Sequence, residues 1–282
     1  MTDAVADVRA SEETFDNDGL KIFLRSWHPE AKPRGVVVIC HGFNAHGGQY
    51  AGTAERLVEA GFAVYAPDLR GRGRSEGERF YVENVSEYVS DLAGAIAIAK
   101  ARDPGLKVFL YGHSAGGVTS ATYALDHQGE IDGFICASFA FQVPAPGFAL
   151  TAIKALSHIA PRLGVLTLPN IAFSRDPEVV AAMDADPLIA GETQPAITVA
   201  ALVRADERLH DGFPQITLPL LILHGTADKA TVPAGSQFFF DTAGSSDKTL
   251  KLYDGHFHDM LADLGKETVI ADIIAWIEAR AG

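Results

Sequence analysis

The chain is poor in cysteine, has no long apolar run and carries no basic excess. Cys40 and Cys136 are the only two cysteines in 282 residues. Two are too few for a disulfide framework, and both sit in apolar runs where small core side chains belong. No stretch reaches the ~18–20 apolar residues that a membrane span needs. Met1–Gly19 is polar and acidic, with no basic start, apolar segment or cleavage-like site. No signal peptide is expected, and the cytoplasm is the simplest location. The formal net charge is −13, which argues against a nucleic-acid partner, because phosphate binding needs clustered Lys and Arg. Ten histidines are present, yet there is no His-Glu-x-x-His and no Cys/His cluster with ligand spacing, so no metal or other cofactor is expected. Gly71-Arg72-Gly73-Arg74-Ser75-Glu76-Gly77 has neither the dinucleotide-binding nor the phosphate-loop spacing and reads as a turn.

What is present is an alternation of short apolar strands with helical patterns, the mark of a largely parallel sheet covered by helices. Strands are expected at Val8–Phe15 and Lys21–Trp27 around Asn17-Asp18-Gly19, and at Gly35–Cys40, Phe62–Ala66, Lys107–Tyr111, Ile131–Ser138, Leu218–His224 and Lys248–Tyr253. Helices are expected at Tyr50–Ala60, Val85–Ala101, Ser114–Asp126, near Pro233–Asp241 and at Lys266–Ala279. Between Phe139 and about Phe213 the rhythm breaks. Prolines and helical stretches follow one another there with no clear strand. Phe148, Ala152, Leu156, Ile159 and Leu163 keep an approximate helical spacing that Pro161 interrupts. Residues 141–213 are therefore expected to form a helical cap inserted into a core made of 1–140 and 214–282. A small second domain unrelated to any site is the alternative.

Gly112-His113-Ser114-Ala115-Gly116 follows a strand and opens a helix. In that context the pattern is a nucleophile elbow. A sharp strand-to-helix turn would push the Ser114 hydroxyl out at the sheet end, beside a helix N-terminus that favours negative charge. Flanking glycines leave room for such a turn. A serine hydroxyl is a weak nucleophile and needs a base. In elbow enzymes the chain order is Ser, then Asp or Glu, then His. Asp228 lies just beyond the strand that ends in His224-Gly225-Thr226-Ala227-Asp228, and the last strand runs into Tyr253-Asp254-Gly255-His256-Phe257-His258. His256 and His258 compete as the base, and spacing alone does not choose between them. Asp254, Asp259 and Asp263 compete less well than Asp228 for the acid, because they belong to the histidine's own loop and helix. Acyl transfer also needs two backbone N–H groups aimed at the developing oxyanion, each worth on the order of 3 kcal/mol. Ala115, next after the nucleophile, is one candidate. Phe43, in the His41-Gly42-Phe43-Asn44 loop, is the other. His41 is expected to be a structural hydrogen-bonding residue.

These residues together resemble the monoacylglycerol lipase and lysophospholipase group of serine α/β-hydrolases. The resemblance covers most of the chain. It rests on His41-Gly42 with His46 and Tyr50, on Asp68-Leu69-Arg70-Gly71-Arg72-Gly73-Arg74-Ser75-Glu76-Gly77, and on the elbow. His224-Gly225-Thr226-Ala227-Asp228 and Tyr253-Asp254-Gly255 through His258 extend it, as do Ser174-Arg175-Asp176-Pro177-Glu178 and Asp186-Pro187-Leu188. The family's histidine falls three residues after its Tyr-x-Gly, which selects His258. The resemblance implies an α/β-hydrolase fold with a cap, and hydrolysis of monoacylglycerols or similar lipophilic monoesters. Small aryl or phthalate-type monoesters are the alternative substrates, and a ligand-binding protein without catalysis is a remote third. Dehalogenases and epoxide hydrolases use an Asp at the elbow, where Ser114 stands. The chain departs from the family at Ala45 (usually Glu), Gln49 (usually Arg), Ala115 (usually Met) and Arg72 (often His). None of these is a triad position, but several bear on the pocket. Phe43, Phe141, Val143 and Phe148 are the expected substrate-lining residues, and an apolar cap could touch lipid surfaces transiently.

Overall fold

The structure, a computed structural model, describes residues 9–282. Met1–Val8, including the first residue of the strand expected from Val8, lie outside the described residues. A hairpin of β1 (Arg9–Asn17) and β2 (Leu20–His28) turns at Asp18 and Gly19, both with positive φ, as a two-residue hairpin loop requires. Then come β3 (Gly35–Cys40), a 3-10 turn at Gly47–Tyr50, α1 (Ala51–Glu59), β4 (Phe62–Pro67) and α2 (Val85–Arg102). The α2 start is set by a capping box, Asn84 with Glu87. β5 (Val108–His113), α3 (Ala115–His127) and β6 (Gly133–Ala137) follow. Beyond β6 the chain leaves the sheet for α4 (Gly147–Ser157), β7 (Gly164–Leu166), α5 (Pro177–Ala185), β8 (Gln194–Pro195) and α6 (Ala196–Gly212). It returns as β9 (Leu220–Gly225), α7 (Pro233–Thr242), β10 (Lys248–Tyr253) and α8 (Lys266–Ala281).

The main sheet has eight strands in the order β1-β2-β4-β3-β5-β6-β9-β10. β1, β2 and β4 pair antiparallel, and every pair from β4 to β10 is parallel. β3 through β6 and β9 are buried at every residue, because helices cover both faces. The period-2 alternation sends Val36, Val38 and Cys40 to the face packed by Leu92 and Ala95 of α2 and Val118 and Ala121 of α3. Val37 and Ile39 go to the opposite face, under Leu57 of α1 and Ile273 and Trp276 of α8. The fold is an α/β-hydrolase fold, as the motifs imply.

Three local differences have physical causes. Ser114 is not helical: it is the residue before α3, with φ 57° and ψ −121°. β7 and β8, of three and two residues, are too short to leave a periodic pattern. α6 packs against α3 and places Ala201, Ala205 and Leu209 in the main core, so the last helix before β9 is a core helix as well as part of the excursion.

Candidate active site

The parallel strands end on one side of the sheet, where ligand sites of open α/β sheets gather. β5 delivers Ser114 there. Its positive φ is unfavourable for a side chain with a Cβ, and it is held by packing on both flanks. A Cβ on Gly112 would lie 2.5 Å from Ser120 Oγ, and one on Gly116 would lie 2.3 Å from the Cys40 carbonyl. Only glycine permits so close an approach of β3, β5 and α3. Asn44, Ser114 and Ser138 are three of the five described non-glycine residues with positive φ, and they stand at the ends of neighbouring strands. Strain collected at one place is a mark of functional sites.

β9 delivers Asp228 and the loop after β10 delivers His258. His258 Nδ1 donates to Asp228 Oδ2 at 2.8 Å, and both side chains are wholly buried. A proton on Nδ1 leaves the Nε2 lone pair free, and Nε2 is buried with no hydrogen-bond partner among the described residues. The carboxylate is saturated: Oδ1 accepts from Ala230 N (2.7 Å) and Thr231 N (2.9 Å). Oδ2 also accepts from Thr231 Oγ1 (2.8 Å), and His224 Nε2 lies 3.2 Å from it. Burial pushes the Asp228 carboxyl up, but the His258 charge and the hydrogen bonds from His224, His258 and Thr231 outweigh it and hold the group well below the usual carboxylate range.

The His258 backbone is tied to the elbow strand. His113 Nε2 and Ser138 Oγ donate to the His258 carbonyl at 3.2 and 2.6 Å, and the His113 and His258 rings lie 4.9 Å apart. Tyr50 OH donates to His113 Nδ1 at 3.1 Å. Phe173 meets His258 edge-on at 5.0 Å. His256 takes another place: its Nδ1 is 3.8 Å from Asp263 Oδ2. Asp263 itself is engaged by Arg175 N and Nε (2.7 and 2.9 Å) and by Phe257 N (2.8 Å). Asp254 accepts from Thr226 Oγ1 and Asp259 from Leu261 N.

Gly42 brings the loop after β3 against the elbow. A Cβ there would sit 2.8 Å from Ser114 Cβ and 3.4 Å from Ala115 N. Phe43 follows at once, and Ala115 opens α3, whose first amides have no acceptor within the helix. His41 is structural: Nδ1 donates to Gly42 O and Nε2 accepts from Leu69 N, with burial lowering its pKa to about 3.

The other expected lining residues disperse. Phe141 stacks between Phe139 and Phe238 and borders a groove of about 510 Å³ between α4, α6 and α7. Val143 is half-buried in the segment before α4. Phe148 is 79% exposed on the outer side of α4. As an enclosed wall Phe148 does not serve, because α4 turns its other side to α6. A second groove of about 820 Å³ runs between α1, α5 and α8; Ser114, Asp228 and His258 are not on its walls. The sequence offered no role for His224, Thr231, His113 or Ser138. Only the four-residue spacing of His224 and Asp228 carried a trace of their pairing.

The sheet and its flanking helices define the class: an α/β-hydrolase. The chain matches the family described as "Serine aminopeptidase, S33" over residues 31–265. It is 35% identical over 276 residues to a monoacylglycerol lipase of Mycolicibacterium smegmatis, covering 97% of this chain and 98% of that protein. It is 32% identical to the human monoglyceride lipase over 268 residues, 93% of this chain and 88% of that one. A crystal structure of Paleococcus ferrophilus monoacylglycerol lipase matches with TM-score 0.83 at 32% identity, covering 92% of this chain and 99% of that one. The protein belongs to this family of serine hydrolases, among its monoacylglycerol lipase-like carboxylic ester hydrolases.

Proposed function

We propose that the protein hydrolyses carboxylic esters through an acyl-enzyme on Ser114, with lipophilic monoesters such as monoacylglycerols as its substrates. The Asp228–His258 hydrogen bond, with His258 Nε2 left free, carries the reading. The Ser114 hydroxyl attacks the ester carbonyl while His258 Nε2 takes its proton. Negative charge develops on the carbonyl oxygen and is met by the N–H groups of Phe43 and Ala115. The tetrahedral intermediate expels the alcohol, which receives the proton from His258. Water then attacks the acyl-enzyme by the same route, releasing the acid and restoring Ser114. Asp228 keeps the proton on Nδ1 and stabilises the imidazolium formed at each step. No metal or cofactor is required by these steps.

Residues 141–213 act as the cap over this site. Exposed Phe148, Ile159 and Ile171 give it an apolar outer side for transient contact with lipid. Among the described residues no helix is long and apolar enough to cross a membrane. The two buried free thiols suit the cytoplasm.

A small aryl or phthalate-type monoester is the second reading. It is favoured by Ala45 and Gln49, which stand where the family usually has Glu and Arg. Gln49 Nε2 is turned to Asp186 at 3.3 Å. One experiment addresses both. Wild type is expected to be labelled on Ser114 by a fluorophosphonate and to show higher kcat/KM on monoolein than on small aryl esters. Labelling elsewhere, or none with no turnover of p-nitrophenyl esters of any chain length, would sink the esterase reading. The reverse order of kcat/KM would select the second.

A further inference from the structure

A buried polar cluster lies beside the site and takes no part in the chemistry above. Arg72, in the turn after β4, is 1% exposed. Its Nη1 pairs with Glu192 Oε1, Nη2 donates to Gln194 Oε1 at 2.8 Å and Nε donates to Tyr88 OH at 2.9 Å. Its guanidinium lies 4.3 Å from the centre of the Phe43 ring. Glu192 and Gln194 belong to the excursion between β6 and β9, and are 4% and 1% exposed. Glu192 Oε1 also accepts from Asn44 N at 2.9 Å and from Gln194 Nε2 at 2.6 Å. Asn44 has φ 50°, and its Nδ2 donates to Leu168 O and Asn170 Oδ1, both at 2.9 Å. Every one of these partners of Asn44 comes from the excursion.

A planar peptide leaves only φ and ψ of each residue free. Bonding the Asn44 N–H fixes the plane between Phe43 and Asn44, and Arg72 against the ring holds the Phe43 side chain. The Phe43 N–H lies in the preceding peptide, whose Gly42 end is pressed against His113 O and Ser114, so with its ring and the following peptide also held, the Phe43 backbone is fixed from both sides. Glu192 Oε2 and Asn44 Oδ1 are buried without partners among the described residues. A cluster selected for stability alone would satisfy such atoms or replace them by apolar ones.

We propose that Glu192 is a positioning residue: from the cap it fixes the Phe43–Asn44 peptide and, with Gly42 packed against the elbow on the other side, sets the Phe43 backbone so that its N–H meets the oxyanion. The oxyanion hole is thereby complete only while this part of the cap is docked. The proposal rests on the role given to Phe43 above.

The test compares Glu192→Ala with Glu192→Gln in the full chain. Glu192→Ala removes the acceptor and is expected to lower kcat on p-nitrophenyl butyrate about 10- to 100-fold, as a misaimed group does, with KM changed less than about threefold. Glu192→Gln keeps an acceptor for Asn44 N and is expected to restore most of kcat. Inhibition by a trifluoromethyl ketone, which forms a tetrahedral adduct, should weaken in step with kcat/KM. If Glu192→Ala does not fold because Arg72 loses its partner, the double variant Arg72→Met with Glu192→Ala removes both charges. Thermal melting shows which variants are folded. Unchanged kcat in a folded variant, a rise in KM alone, or unchanged ketone inhibition would each overturn the proposal. Fluorophosphonate labelling of wild-type Ser114 stands apart from this comparison. If it fails, the esterase reading falls; if it holds while the Glu192 variants keep kcat, only the positioning role falls.

Discussion

His256 and His258 are two residues apart and meet different partners. His258 faces Asp228 at 2.8 Å, while His256 lies 3.8 Å from Asp263. His258→Ala is expected to cut kcat by several orders of magnitude, and His256→Ala to keep most of it. Purified variants assayed on one p-nitrophenyl ester decide the matter, and the opposite outcome would reverse the assignment. Spacing could not make this choice, because both histidines lie in one irregular loop with no period to fix their directions. Ser114 was legible, since an elbow needs its glycines on either side. His224 was not: its two ring nitrogens bridge Ser236 Oγ, at 2.7 Å, and Asp228, and that bridge exists only after α7 has packed on β9.

At the scale of elements, the site is held by loops that reach across one another. The loop after β10 is fastened by Asp263, which gathers Phe257 N, Arg175 N and Arg175 Nε. Burial pushes its carboxyl up, but the hydrogen bonds from Phe257 and Arg175 prevail and hold it below its ordinary value. Asp263→Asn is expected to destabilise the fold by about 2–3 kcal/mol, less than a fully buried pair, because Arg175 keeps 32% of its side chain in water. kcat should fall with it, since Phe257 precedes His258. Urea unfolding and kcat on the same preparation measure both; an unchanged unfolding midpoint would remove the role given to Asp263. Strands and helices of the core were readable because their periods are long enough to count. The excursion was readable only as a broken rhythm. Its short strands, and the burial of α6 against α3, depend on neighbours that composition does not name.

Across the whole molecule, buried histidines link stability to pH. Burial lowers His41 from 6.5 to about 3 and lowers His113 as well. Below pH 6.5 the unfolded chain binds protons that the folded one refuses. For His41 the stability present above pH 6.5 is therefore lost as pH falls toward 3, by up to about 1.4 kcal/mol per pH unit, and His113 acts in the same direction. Asp228, held low, adds its own loss below about pH 4, where an unfolded Asp takes up its proton. Unfolding free energies from urea titrations at pH 7.5, 6 and 5 should fall in that order, with a shallower slope in His41→Asn. A flat profile would mean that these rings are not kept neutral. By itself, the sequence determined the sheet, the order of its strands and helices, and the position of the elbow serine. These follow from local periodicity and from glycines whose neighbours in the chain dictate the turn. The family resemblance had already pointed to His258; only the tertiary structure set its ring against Asp228, let His224 share that carboxylate, and brought Arg72 and Glu192 together behind the elbow's companion loop. Those contacts join residues up to 120 positions apart (Arg72 and Glu192), and no local pattern in a chain encodes the direction of a side chain that distant packing sets. For Ser114 the turn came from its neighbours; its surroundings came from the whole fold.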